Sequence, residues 1–234
     1  MLSNEKCGQS RTVKNVLGFD GEGRRAFYGD WGHQIGLQKD YLVFGHALPE
    51  LLERFSVGTV YVSPVMFAQQ GESICCLRKA IDQAKVPIRE IASGNRLAGG
   101  PGCWLQILHP PPHGLSATSN ANSIVLSLEY CGRRVLLPAD LQSPGLNDVL
   151  DEESLHCDML LVPHHGSRTS MPERLSAWST PDWAVFSADH RYDTSAVEAI
   201  YAKHGRVLHT ADTGAVMARV DENGMRVETF VERK

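Results

Sequence analysis

Apolar residues along this chain come in short unbroken runs, separated by glycine, proline and polar turns. That is the pattern of strands covered on both faces. The clearest runs are Met159-Leu160-Leu161-Val162, Val135-Leu136-Leu137 and Trp183-Ala184-Val185-Phe186. Residues 57–63, 86–91 and 103–109 predict three more strands, and residues 206–210, 215–220 and 225–231 a closing set of short ones. Helical spacing enters at 72–84, where Ile74, Leu77 and Ile81 share one face. A second helix is predicted at 172–178 with Pro172 in its first turn, and a third at 196–204 with Gly205 as its C-cap. Residues 141–150 read as a further helical segment, which Asp140 is placed to cap. Turns are expected at 99–102, in the proline-rich stretch 110–114, at Gly214 and at Asn223-Gly224.

Such alternation of strand and helix suits an αββα sandwich, and periodicity alone also allows a Rossmann-like layer. No G-x-G-x-x-G follows a strand, which counts against dinucleotide binding. The succession of short strands at the C-terminal end also fits the second sheet of a sandwich better than the end of a doubly wound fold. With 234 residues, 42% of them hydrophobic, the chain is long enough for one substantial core. Residues 46–234 read as that domain. Residues 1–45 read as a divergent or disordered segment, rich in glycine and without sustained apolar periodicity.

Charge is nearly balanced, with 23 basic against 27 acidic residues. This argues against a general nucleic-acid-binding protein, which would show a basic face. Local steering remains open, because Arg133, Arg134, Arg168, Arg174 and Arg191 are expected to flank the cleft loops, although solvated surface arginines are the default reading of each. Cys7, Cys75, Cys76, Cys103, Cys131 and Cys157 form no C-x-x-C pair, and buried free thiols in a reducing compartment explain them most simply. No apolar run approaches the length of about 20 residues needed to span a bilayer, so the chain as written reads as soluble and cytoplasmic.

The candidate chemistry sits at two strand ends. The run at 158–168 stops at Pro163 and releases His164 and His165 into a glycine turn; the run at 133–140 stops at Pro138 and ends on Asp140. Imidazole nitrogen and carboxylate oxygen together suit zinc or manganese. Asp140 and His165 would meet if their strands are neighbours. The competing readings are a surface histidine pair and a helix-capping aspartate. His109 and His113 read as structural loop residues, while His156 and His209 sit where a supporting hydrogen bond is conceivable.

The segments 120–130, 135–140 and 161–168, with the wording VPHHGS, resemble the C-terminal metallo-β-lactamase-fold domain of ComEC-type competence proteins. The resemblance runs from about Ala47 to about Arg226. It implies an αββα sandwich of two mixed sheets covered by helices, with the first sheet incomplete or altered. It further implies that Asp140 and His165 belong to a metal site and that Asn122 and Ser123 form a polar pair of substrate or support residues near the same cleft. His164, Ser167, Arg168 and His190 fall in the same supporting class.

The departures are as informative. Hydrolases of this fold carry an H-x-H-x-D-H or H-x-D-x-D-H cluster at an early strand end, and here that position offers only Asp40 and His46. A later family histidine is replaced by the stretch His190-Arg191-Tyr192-Asp193, so His46 and Asp193 are the remaining candidates to complete a site. Asp30-Trp31-Gly32-His33 only faintly resembles the opening of the domain. The abrupt start of the match near Ala47 suggests an internal deletion, a frameshift or a mispredicted start. The expectation is therefore a relative of metal-dependent phosphodiesterases that degrade DNA during uptake, holding at most one Zn²⁺ or Mn²⁺ and having weak or lost activity. DNA is the implied substrate, and a membrane channel the implied partner. The alternative is a non-catalytic remnant or partner-binding domain of an uptake apparatus.

Overall fold

The computed structural model describes residues 11–13, 52, 57–68, 72–188 and 191–231. In chain order its elements are β1 (Arg11–Val13), β2 (Val60–Val62), α1 (Glu72–Gln83), β3 (Ile88–Glu90), β4 (Arg96–Gly100), β5 (Cys103–His109), β6 (Val125–Tyr130) and β7 (Arg133–Leu137). There follow α2 (Gly145–Leu150), β8 (Met159–Leu161), α3 (Pro172–Ser179), β9 (Trp183–Phe186), α4 (Ser195–Tyr201), β10 (Arg206–His209), α5 (Thr210–Thr213), β11 (Val216–Asp221) and β12 (Gly224–Thr229).

Seven strands make the main sheet, in the order β10-β9-β8-β7-β6-β5-β4. Neighbours are antiparallel from β4 to β7 and parallel from β7 to β10. Connection length decides this. Cys131 and Gly132, at φ 47° and 71°, close a two-residue hairpin between β6 and β7, whereas each later pair is joined through a helix. The crossovers place α2, α3 and α4 on one face, where Leu146, Val149, Leu175, Trp178, Val197 and Tyr201 pack on Leu136, Leu160, Ala184 and Phe186. Because side chains alternate along a strand, Val135 and Leu137 point the other way. There, with Leu128, Tyr130 and Val185, they meet Ala218 and Val220 of β11. Each such burial stabilises the fold by roughly 1.5–3 kcal/mol.

The expected layering of helices, sheet and facing sheet is present. Among the described residues the sheet β1-β11-β12 faces the main sheet through β11 and β12, and β2-β3 forms a separate parallel pair. One expectation needs correcting: the last strands do not all extend the second sheet. β10 does, but β11 and β12 cross to the opposite face, where Ala218 and Val220 are buried. Gly214 is thus not a hairpin residue; it caps α5 at φ 66° and redirects the chain. Asn223-Gly224 does join a hairpin, with Asp221 opposite Gly224.

Two other local readings change. The stretch at 99–102 is only partly a turn, since Arg96–Gly100 is an edge strand with an irregularity between Ala98 and Gly100. An edge position tolerates glycine, and the Arg96 guanidinium over the Trp104 ring at 4.2 Å adds a contact there. Gly205 is not the helix C-cap, which falls at Ala202. Its glycine is needed because a Cβ would stand 2.3 Å from the carbonyl oxygens of Pro181 and Asp182.

The cysteines also depart from the expectation of buried free thiols. Cys75 and Cys76 are free but exposed, because Ile74, Leu77 and Ile81 occupy the buried face of α1. Cys131 is disulfide-bonded. Among the described cysteines Cys157 alone fits fully: it is free and buried, and desolvation pushes its thiol up to about 12. No helix among the described residues is long and apolar enough to cross a membrane.

Candidate functional site

The four parallel strands β7 to β10 deliver their C-terminal ends to one edge of the sheet, the place where open α/β folds house their chemistry. Asp140 follows β7 and His165 follows β8, and those strands pair directly. The two side chains converge: His165 Nε2 lies 3.9 Å from Asp140 Oδ1. A run of left-handed backbone aims them. Ala139 stands at φ 51°, His164 at 49°, His165 at 56° and Gly166 at 83°. Each non-glycine residue held there costs on the order of 1–3 kcal/mol, a strain that clusters at functional sites. The His164 N–H, donating to the Ala139 carbonyl at 3.2 Å, ties the two turns together.

The protonation pattern is specific. His165 Nδ1 is 2.6 Å from the Ser187 carbonyl oxygen, which can only accept, so Nδ1 carries the proton. In the neutral ring Nε2 then presents its lone pair toward Asp140. Asp140 is 3% exposed, and burial pushes its carboxyl up to about 7, with a backbone hydrogen bond from His164 acting the other way. Its Oδ2 is buried and has no hydrogen-bond partner among the described residues. Two acceptors facing each other at 3.9 Å are too distant for a direct hydrogen bond. They are close enough for one ion to touch both, since bonds to zinc run about 2.0–2.2 Å each. The donor set therefore fits a single cation, or a proton in its place. Asp140 is not a helix cap, because α2 begins five residues later with Pro144 at its N-cap.

The surrounding polar residues divide by what they hold. The Gln142 amide donates to His164 Nδ1 and to Thr169 Oγ1 at 2.6 Å, and Thr169 Oγ1 lies 2.9 Å from Ser167 Oγ. His164 and Ser167 thus belong to a network that braces the turn, which sequence reading missed because Gln142 and Thr169 carry no motif. Arg168 is exposed beside Asp193 and helps hold that carboxylate below the usual range, after the hydrogen bonds from Ser195. Asp193 itself accepts from Ser195 N at 3.1 Å and from Ser195 Oγ at 2.6 Å, just before α4. No group of three histidine, cysteine or acidic side chains able to hold a metal occurs among the described residues, so Asp193 does not complete the Asp140–His165 pair. His46 and His190 lie outside the described residues.

Asn122 and Ser123 have separate surroundings. The Asn122 amide donates to the Leu115 and Thr118 carbonyls at 3.1 Å each and accepts from Leu115 N at 2.6 Å, clasping a loop. Ser123 is fully buried, and its hydroxyl has no hydrogen-bond partner among the described residues. His109 is structural, as expected: it is 2% exposed and donates from Nε2 to the Ala121 carbonyl at 2.8 Å, and burial lowers its pKa. His156 and His209 also gain hydrogen bonds, to Thr180 O and from Ala211 N.

Three arginines expected at the cleft are placed elsewhere. Arg133 and Arg134 stand at the opposite end of β7, paired with Asp158 at 2.9 Å and Glu129 at 2.6 Å, because the strand that ends near Asp140 starts with them. Arg174 pairs with Asp151 at 3.1 Å on the helical face.

No family model matches the chain. A stretch of 120 residues is 32% identical to ComE operon protein 3 of Bacillus subtilis, spanning 49% of this chain and 15% of that protein. The metallo-beta-lactamase fold protein YhfI from Bacillus subtilis superposes with a TM-score of 0.44 at 11% identity, over 74% of this chain and 71% of that one. Zn²⁺-bound PqqB from Methylobacterium extorquens superposes with a TM-score of 0.45 at 14% identity, over 73% of this chain and 67% of that one. The sequence match supports the resemblance to a ComEC-type protein, over a stretch that is a small part of that protein's length.

Proposed function

We propose that residues 46–234 form a ComEC-like domain related to metal-dependent phosphodiesterases that degrade DNA during uptake, retaining one cation position and weak or no activity. The observation that carries this reading is the facing pair Asp140 Oδ1 and His165 Nε2 at 3.9 Å, with the imidazole proton fixed on the far nitrogen. Such a pair can hold one Zn²⁺ or Mn²⁺. When bound, an ion of this kind supplies Lewis-acid polarisation of a phosphodiester and a more acidic attacking water. Asp140 contributes the charged ligand, His165 the neutral one, and Ser187 keeps the ring turned toward the carboxylate. His164, Ser167, Gln142 and Thr169 hold the turn rigid, while Arg168 stands exposed where it can meet a phosphate.

Two protein ligands are fewer than the three usual at a catalytic zinc, which is why weak or lost turnover is part of the reading. DNA is the substrate it implies, and a membrane channel the partner. The second reading, a non-catalytic partner-binding domain, is favoured by the absence of a three-ligand group among the described residues.

One experiment separates them. Purified protein is dialysed against Mn²⁺ or Zn²⁺ and then against metal-free buffer, analysed for retained metal, and assayed on single-stranded DNA with Mn²⁺ added. The proposal expects one ion per chain, and any cleavage to be slow and abolished by Asp140→Asn. Retained metal without cleavage is the lost-activity form of the proposal, whereas no retained metal with no cleavage removes the cation position and leaves the second reading.

A further inference from the structure

A cavity of about 350 Å³ lies at the start of α4, within the range of about 300–1,000 Å³ usual for small-ligand sites, and the cation position does not use it. Its lining includes Arg191, Tyr192, Asp193, Glu198, His209 and Asp212. Thr194, also on the lining, joins the cavity to the histidine turn: a Cβ on Gly166, the residue after His165, would stand 3.1 Å from Thr194 Cγ2. The same Cβ would stand 2.7 Å from the Phe186 ring, on which His209 is stacked with centroids 6.2 Å apart and planes 11° from parallel. His209 is buried, and its Nδ1 accepts from Ala211 N at 3.2 Å, so the ring proton is on Nε2. Glu198 accepts from Thr194 Oγ1 at 2.6 Å through Oε1, and its Oε2 has no hydrogen-bond partner among the described residues.

Tyr192 is 62% exposed. A single exposed aromatic is ordinary, but one on the wall of a cavity offers a stacking face. The polar lining is rich in acceptors, with the carboxyl groups of Asp193, Glu198 and Asp212 against the donors of Arg191 and His209. Such a wall repels a phosphate and suits a flat ring that carries amino hydrogens. We infer that the cavity takes a nucleobase of single-stranded DNA, stacked on Tyr192 and donating its exocyclic amino group to Glu198, with the phosphates outside near the exposed Arg168 and Arg191. This rests on DNA as the substrate proposed above and not on the cation. Cytosine, adenine and guanine each carry an amino group, whereas thymine presents carbonyl oxygens that a carboxylate repels. The cavity therefore discriminates against thymine, and Glu198 determines that specificity.

The test compares fluorescein-labelled oligodeoxycytidylate and oligothymidylate of about ten nucleotides, two pyrimidines of similar size, in EDTA so that the cation position plays no part. Binding of each to the full chain is followed by anisotropy for the parent, Tyr192→Ala and Glu198→Gln, and thermal unfolding checks that both variants are folded. The parent should bind oligodeoxycytidylate about tenfold more tightly than oligothymidylate. Tyr192→Ala should weaken oligodeoxycytidylate binding about tenfold through lost stacking. Glu198→Gln should lose the preference, because an amide can donate to a thymine carbonyl as well as accept from cytosine. Equal affinities in the parent, a preference that survives Glu198→Gln, or parent-like binding by Tyr192→Ala overturns the inference and leaves DNA as the substrate standing. A parent that binds neither oligonucleotide overturns both, while the cation position is read separately by retained metal.

Discussion

At the scale of single residues, the site is governed by the conflict between burial and charge. Asp140 carries a carboxyl whose folded pKa, about 7, stands above the ordinary 3.8 because burial penalises the ion. The folded chain therefore keeps a proton that the unfolded chain releases between about pH 4 and about pH 7. The stability linked to this group is full below that window and is lost as pH rises through it, by a few kcal/mol at most. In EDTA the urea midpoint of the parent should fall from pH 4 to pH 7.5, and Asp140→Asn, which keeps a neutral group of the same shape, should remove that part of the fall. Parallel profiles for the two proteins would show that another group controls it. Much of this site was readable in the sequence, since an aspartate and a histidine after consecutive apolar strands had only to be neighbours. The protonation state was not, because it depends on the Ser187 carbonyl, 22 residues beyond His165 and supplied by a different strand.

Elements add constraints that composition hides. Gly145 opens α2 where a Cβ would stand 2.1 Å from the Ala121 carbonyl oxygen and 2.7 Å from His109 Nε2. The end of β5, the turn at 120–122 and α2 meet at this point. Gly145→Ala should cost about 3 kcal/mol or more, measured by urea denaturation, because backbone must move to admit the methyl. A loss below about 0.5 kcal/mol would mean that the three elements are less tightly joined. Strand β5 was readable to the residue, as was the buried stripe of α1, because their apolar spacing has one interpretation. The strand β4 was not: its Gly99-Gly100 end, followed by Pro101-Gly102, reads as a turn until β5 pairs with it. Gly205 misled for a related reason. A helix-ending glycine and a glycine pressed against another segment's carbonyls look the same in one dimension.

Across the whole molecule, the sheet separates the proposed cation position from the ion pairs along its strands. The C-terminal edge of β7 and β8 carries Asp140 and His165, and the opposite edge carries the ion pairs of Arg133 and Arg134. There Asp158 accepts from Arg133 NH1 at 2.9 Å and from the Arg134 backbone N–H at 2.7 Å. Asp158→Ala should lower stability by about 2 kcal/mol by stripping partners from those donors, yet leave Mn²⁺ retention unchanged. Loss of metal retention at unaltered fold would contradict the division. Sequence reading assigned these arginines to the cleft because strand direction, not proximity in the chain, decides which edge a flanking residue reaches. It foresaw the layered architecture, whose alternating strands and helices survive any local error. It did not foresee β11 and β12 crossing to the facing sheet, a choice made by the apolar surface of Leu128, Val135 and Leu137 that awaited cover.

The central claim is that Asp140 and His165 share one cation. Electron spin-echo modulation of Mn²⁺ bound to protein carrying ¹⁵N-labelled histidine reads this directly. The account predicts a single imidazole nitrogen coupling that disappears in His165→Gln and a Mn²⁺ signal that is lost in Asp140→Asn. A histidine coupling that persists unchanged in His165→Gln, or bound Mn²⁺ with no nitrogen coupling at all, would contradict it.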